Sequence, residues 1–215
     1  MNELEIYPFW QMKNHQRVIV RFLPDLNEEN DFKFIDEYSY HRVELKGKTF
    51  SALCSDVHES GITPCYHCKK AYKEYKRHRQ NEGLKYWRKK HYVGNVIIVD
   101  DPLGLRGVND PEKTYKLLFS QGLYNDIKDS IHSGKIAEWP SDYTNGHNFE
   151  IRREQHGMYA KYLGRFRRKS KLTKEQVKLA DESLIDLSTL RPKLFTSNCG
   201  DDLSKDLMWE ILGNV

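Results

Sequence analysis

The chain has 215 residues, 38% of them hydrophobic and 31% charged, with a mean hydropathy of −0.79 and a net charge of +4. That length suits one sizeable domain with appendages or two small ones, and no run approaches the roughly 18 consecutive apolar residues of a membrane span. Met1–Asn14 has neither the basic start nor the apolar stretch of a secretion signal, so an intracellular chain is expected.

Arg17–Leu23 is rich in β-branched residues and ends at Pro24-Asp25, which predicts a strand closed by a turn. Further strands are expected over Phe32–Tyr40, over Arg42–Leu53 with a turn at Lys46-Gly47-Lys48, and over Val93–Asp100. The run Val96-Ile97-Ile98-Val99, stopped by Asp101-Pro102, predicts a central strand buried on both faces. Thr114–Ser120 and the segments around Phe149–Arg152 and Tyr159–Leu163 alternate as half-exposed strands do.

Helices are expected at Cys68–Gln80, at Leu123–His132 before Gly134, and after the capping-box signal Thr173-Lys174-Glu175-Gln176. Asp201 or Ser204 offers a cap for one more helix through Trp209, and Leu190–Cys199 is the candidate linker. The fold class expected is mainly β with peripheral helices: a small barrel as the core and a helical C-terminal end.

Pro64-Cys65-Tyr66-His67-Cys68 is a Cys-x2-Cys knuckle preceded by Cys54, with His41, His58 and His67 as candidate fourth ligands. Three thiolates and one imidazole fill the tetrahedral shell of Zn²⁺ and leave no position for water, so one structural zinc ion is the cofactor expected. Competing explanations are a redox pair, which lacks a βαβ context, disulfides, which do not suit an intracellular chain, and cysteines acting as buried apolar groups. A zinc deaminase is the sharper rival, because Pro-Cys-x-x-Cys is half of its signature; the other half, His-x-Glu, is missing. Cys199 is left over.

Charge is distributed unevenly. Lys69–Tyr92 carries +8 and Glu150–Leu172 carries +6, so with a total of +4 the remaining 168 residues carry −10. The first window interleaves its cations with Tyr72, Tyr75, Tyr86, Trp87 and Tyr92, and the second adds Tyr159, Tyr162 and Phe166. Cations beside aromatic rings suit a single nucleic-acid strand, whose bases stack while its phosphates lie along a positive surface. No GxSxG elbow, P-loop or HExxH occurs, and the chain is not expected to be an enzyme.

The ordered set Val18–Pro24, His41 before Cys54, Cys65-x-x-Cys68, Arg88-Lys89-Lys90 through Tyr92 to Asn95–Val99 and Asp101-Pro102, and Asn148-Phe149 resembles one family. These are the zinc-containing single-stranded DNA-binding (helix-destabilising) proteins of T-even-type bacteriophages, and the resemblance runs from about Arg17 to Leu172. It implies an OB-fold barrel with an inserted zinc-binding subdomain at about 41–92, so that 1–172 would be the core and 173–215 a helical C-terminal extension. It also implies the zinc ligands His41, Cys54, Cys65 and Cys68.

Nucleic-acid contacts are implied for Arg21, Arg88, Lys89 and Tyr92, and less directly for Tyr72, Tyr75, Tyr159 and Tyr162. Tyr86, Trp87, Lys90 and Arg152 join them from the basic windows. Val93 stands where the family carries a tryptophan, and neither the family's basic arm nor its acidic tail is recognisable. The function expected is sequence-nonspecific binding of single strands in phage DNA replication, recombination and repair, in the host cytoplasm, with proteins of the same phage as further partners. A zinc-dependent nucleic-acid enzyme such as a deaminase, or an RNA-binding or adaptor module, is the alternative.

Overall fold

The computed structural model describes residues 5–30, 32–45, 48–58, 65–104, 114–136 and 139–191, with the backbone alone described over 43–45 and 48–50. The chain forms two compact units, Met1–Glu37 with His91–Leu190, and Tyr38–Lys90 with Arg191–Val215. Seven strands, in mainly antiparallel sheet, and a few helices make up the described residues.

In the larger unit, β1 (Arg17–Phe22) lies between β4 (Lys89–Asp100) and β6 (His147–His156), antiparallel to both. β7 (Tyr159–Lys169) pairs with β6, and β5 (Thr114–Phe119) with β4. Strand periodicity sorts the side chains: Val18, Val20 and Phe22 of β1, Val96 and Ile98 of β4, Leu117 and Phe119 of β5, and Phe149 and Ile151 of β6 enter one core. Gly94 is required there, because a Cβ would lie 2.9 Å from the ring of Phe22. Helix α4 (Gln121–His132) covers this core with Leu123 and Ile127.

Ile97 points the other way and packs with Leu23 and with Ala180 of α5 (Lys174–Glu182). β4 is therefore buried on both faces, as its unbroken apolar run predicts. The predicted capping box holds α5: Thr173 Oγ1 accepts from the Gln176 N–H, and Gln176 Oε1 accepts from the Thr173 N–H.

In the smaller unit, β2 (Asp36–Leu45) and β3 (Lys48–Leu53) form an antiparallel hairpin with His41 opposite Ala52. A helical turn α1 (Ser55–His58) follows, then α2 (Tyr66–Lys76) and α3 (Gln80–Tyr86). Two expectations change here. β2 runs unbroken through Tyr40–Arg42, and the single helix expected over Cys68–Gln80 is two, parted where His78 takes a left-handed φ of 58°. The helix expected from Asp201 or Ser204 through Trp209 lies outside the described residues.

Candidate metal centre and nucleic-acid surface

His41 and the three cysteines Cys54, Cys65 and Cys68 converge: their donor atoms lie within 4.8 Å of one another, and all four residues are buried. β2 supplies His41, and Cys54 follows β3 directly. Cys65 is the N-cap of α2 and Cys68 sits in its first turn, so the x2 spacing turns both sulfurs to one side. Cys65 Sγ is 3.1 Å and Cys68 Sγ 3.6 Å from His41 Nε2, and Cys54 Sγ is 3.6 Å from Cys68 Sγ.

The surroundings orient these donors. The Tyr86 carbonyl accepts from His41 Nδ1 at 2.9 Å, which leaves the Nε2 lone pair facing the sulfurs. Asp56 Oδ1 accepts from the Cys65 N–H at 2.6 Å, and the Arg88 guanidinium lies 3.9 Å from Cys68 Sγ. Cys65 is held well below the usual thiol range, first by its hydrogen bond from Cys54; Cys54 is pushed up by that same bond and by burial. Thiolate character in a buried site is what a metal cation compensates. By donor set, burial and imidazole orientation, the four residues fit a metal ion.

The two other candidate histidines have different roles. His58 Nε2 accepts from the Ser39 N–H at 2.9 Å, and neither His58 nor His67 belongs to the cluster. His67 stacks on the His41 ring at 5.1 Å, and burial, then His41, holds it below the ordinary histidine range.

The residues expected to meet nucleic acid divide sharply. In the smaller unit, Tyr72 is 58% and Trp87 39% exposed. Lys76 lies over the Tyr72 ring at 4.7 Å, Lys70 over Tyr86 at 4.1 Å and Arg88 over Trp87 at 5.3 Å. Tyr75 packs edge-on against Trp87, and Lys89 and Lys90 are exposed. This unit thus presents exposed rings already neighboured by cations.

In the larger unit, Tyr159 is exposed at the turn between β6 and β7, and Arg152 is exposed beside Glu154 at 3.6 Å. Tyr162 is half-buried, edge-on to Phe9.

Arg21 and Tyr92 depart from the expectation that they face a strand. Arg21 is 0% exposed. It donates to Asn148 Oδ1 (2.9 Å), to the carbonyls of Pro140 (3.4 Å) and Asp142 (3.2 Å), and to both Ser170 O and Ser170 Oγ. Burial lowers its guanidinium to about 10, so it remains a cation at neutral pH. Tyr92, also 0% exposed, stacks on Tyr124 at 3.9 Å and donates to Gln121 Oε1. Both are spent on the fold.

Two features escape sequence reading. Glu150, 1% exposed, is paired by Arg17 at 3.5 Å, Arg165 at 2.8 Å and Arg167, so part of the second basic window neutralises a buried carboxylate. Met158, beside Gly157 at the β6–β7 turn, is 88% exposed, and a lone methionine carries no signal for that. None of the described helices is long and apolar enough to cross a membrane.

A search of curated proteins returns no match. A family model described as gp32 DNA binding protein like matches residues 13–198 of the 215, a span that takes in most of each unit and all four metal-cluster residues. By that match, the chain belongs to the gp32-like DNA-binding protein family.

Proposed function

We propose that this protein binds single-stranded DNA without sequence preference, coating and protecting exposed strands during phage DNA replication, recombination and repair. The family match over residues 13–198 carries the reading. The exposed, cation-flanked rings Tyr72 and Trp87 and the half-buried, cation-flanked Tyr86, with Tyr75, Arg88, Lys89 and Lys90 on the same unit, support it. Arg152, Tyr159 and Tyr162 of the larger unit complete the proposed contacts. Stacking is indifferent to base identity and is worth about 1–3 kcal/mol per base, which suits coating rather than sequence reading. Preferential binding of the single-stranded form draws a duplex open by mass action, without turnover. The proposed setting is the host cytoplasm, with replication and recombination proteins of the same phage as further partners.

The metal proposed at His41, Cys54, Cys65 and Cys68 is one zinc ion, since three thiolates and an imidazole match its preference. Bound there it supplies a structural crosslink, and the protein's own contribution is the orientation of His41 by Tyr86. An OB-fold core over 1–172 with an inserted subdomain at 41–92, followed by a 173–215 extension, remains the proposed organisation.

The test is an emission titration with oligo-dT, a matching duplex and a matching RNA over a salt series. Quenching by oligo-dT, weak duplex binding and a log–log salt slope of about −0.7 per phosphate contact are expected. Duplex preference, or no binding of oligo-dT, overturns the proposal.

A further inference from the structure

We infer that Glu150 is a positioning residue that holds Arg17 and Arg165 as a preformed clamp for the backbone phosphates of a single DNA strand. The inference rests on the proposed function, whose contacts include none of these residues, and deepens it by giving the strand a path over the outer face of β1, β6 and β7.

Strand register defines that face. Residues directly opposite each other on antiparallel strands point to the same side. Ile19 and Arg165 are both opposite Glu150, and Arg17 is opposite Arg152, which is in turn opposite Leu163. By alternation all of them lie on the side away from Val18, Val20, Phe149 and Ile151, which fill the core. A glutamate on an outward face is ordinarily solvated. Glu150 is instead 1% exposed, with three guanidiniums on its carboxylate.

Three is more than the carboxylate requires. Arg165 brings both Nε and Nη2 to Oε1 at 2.8 Å, while Arg167 Nη2 and, at 3.5 Å, Arg17 Nη1 share Oε2. A single arginine fork can satisfy a carboxylate, so three cations around one anion leave a charge of +2. Each guanidinium has five N–H donors, and the side chains of Arg17 and Arg165 are 50% and 61% exposed. Glu150 thus anchors them from beneath while their outer edges stay open to solvent. Long side chains lose rotamer freedom when they grip a ligand, and a fold that has already fixed them removes much of that cost.

The occupant follows from the rest of the face. Exposed Arg152 and Lys161 continue it, with Glu154 between them. Its apolar members Ile19 and Leu163 are half-buried aliphatics, and no aromatic anchor of the kind a protein partner grips stands among these register partners. A phosphodiester needs only charge and forked donors.

The experiment measures binding of 5′-hydroxyl oligo-dT, which carries diester phosphates alone, across a salt series, with folding checked by circular dichroism. Arg17→Ala/Arg165→Ala keeps Arg167 on Glu150 and should lose about 1.4 from the log–log slope, at roughly 0.7 per contact, whereas Lys174→Ala/Lys178→Ala on α5, an equal change of charge, should not. Equal losses in the two variants, or none in the first, overturn the clamp. Glu150→Gln separates positioning from countercharge by the sign of its effect. Removing a negative charge by itself tightens binding of a polyanion; loss of the anchor should weaken it by about tenfold. Unchanged or tighter binding overturns the positioning role. If Glu150→Gln does not fold, Arg165→Lys decides: it keeps the charge but gives up the fork, so weaker binding is expected and wild-type affinity overturns the role. An Arg17/Arg165 variant that binds oligo-dT as wild type does but loses binding of poly-glutamate assigns the face to an acidic protein partner and overturns the strand assignment. Failure of wild type to bind oligo-dT refutes the proposed function and the clamp together, whereas wild-type binding with an unchanged slope in the variant refutes the clamp alone.

Discussion

Replacing Arg21 separates a phosphate contact from a structural guanidinium. In Arg21→Met the aliphatic stem is kept and the donors are removed, leaving Asn148 Oδ1 and the carbonyls of Pro140, Asp142 and Ser170 without them in a site of 0% exposure. Hydrogen bonds to a charged group are worth about 1.5–3 kcal/mol each and are not additive, and breaking a buried charged network costs about 3–5 kcal/mol. A loss of about 4 kcal/mol is therefore expected, a large share of a total stability of roughly 5–15 kcal/mol. With a urea slope of about 2 kcal/mol/M, the unfolding midpoint falls by about 2 M. Arg21→Lys should recover little, since one ammonium cannot reach acceptors spread around a planar fork. Urea unfolding measures the first effect, and the salt slope of oligo-dT binding on the folded fraction measures the second. A normal midpoint together with a slope reduced by about 0.7 would refute the structural role and return Arg21 to the DNA surface.

Gly146→Ala should be destabilising by about 1–3 kcal/mol, because its Cβ would lie 2.2 Å from both Arg21 Nη1 and the Asp142 carbonyl; thermal melting should show a drop of roughly 5 °C. His41→Ala should lose tightly bound metal, whereas His58→Ala should keep it and lose only about 1 kcal/mol with the Ser39 hydrogen bond; metal content after dialysis and melting curves distinguish the two. Tyr72→Ala should weaken oligo-dT binding by about 1–3 kcal/mol and leave stability within about 0.5 kcal/mol, and unchanged affinity by anisotropy would remove Tyr72 from the surface. The N–H groups of Asn145 and Thr144 hold the Asp142 carboxyl below its usual range. Its stabilising effect is complete above the ordinary carboxylate pKa and is lost as pH falls through the depressed value, so Asp142→Asn should flatten the acid limb of a stability–pH curve.

The strands β1, β4 and β5 were legible because β-branched runs and alternation leave few other readings, and the cysteine trio because its spacing is that of a metal knuckle. The fourth donor was not legible from spacing alone: His41, His58 and His67 are all near in sequence. Hairpin register, with His41 opposite Ala52, decides among them. Arg21 and Tyr92 read as ligand contacts because a strand arginine or tyrosine looks the same whichever way it points. The partners that capture Arg21 lie 119 to 149 residues away, beyond any local pattern. The break between α2 and α3 has no glycine or proline to announce it; His78 makes the turn at a backbone angle that sequence does not advertise.

The Cys/His cluster also bears on the order of assembly. Its members are close along the chain, with Cys54 and Cys68 14 residues apart and His41 and Cys65 24 apart, whereas Arg21 must find Asn148 across 127. Loop-closure entropy grows with such separations, and rates of folding fall with them. The smaller unit is therefore expected to reach its native contacts first, with ion capture as its commitment step, while the larger sheet waits for its distant strands. Pulse-labelled hydrogen exchange would show this as protection of β2, β3 and α2 ahead of β1 and β6; simultaneous protection would contradict it.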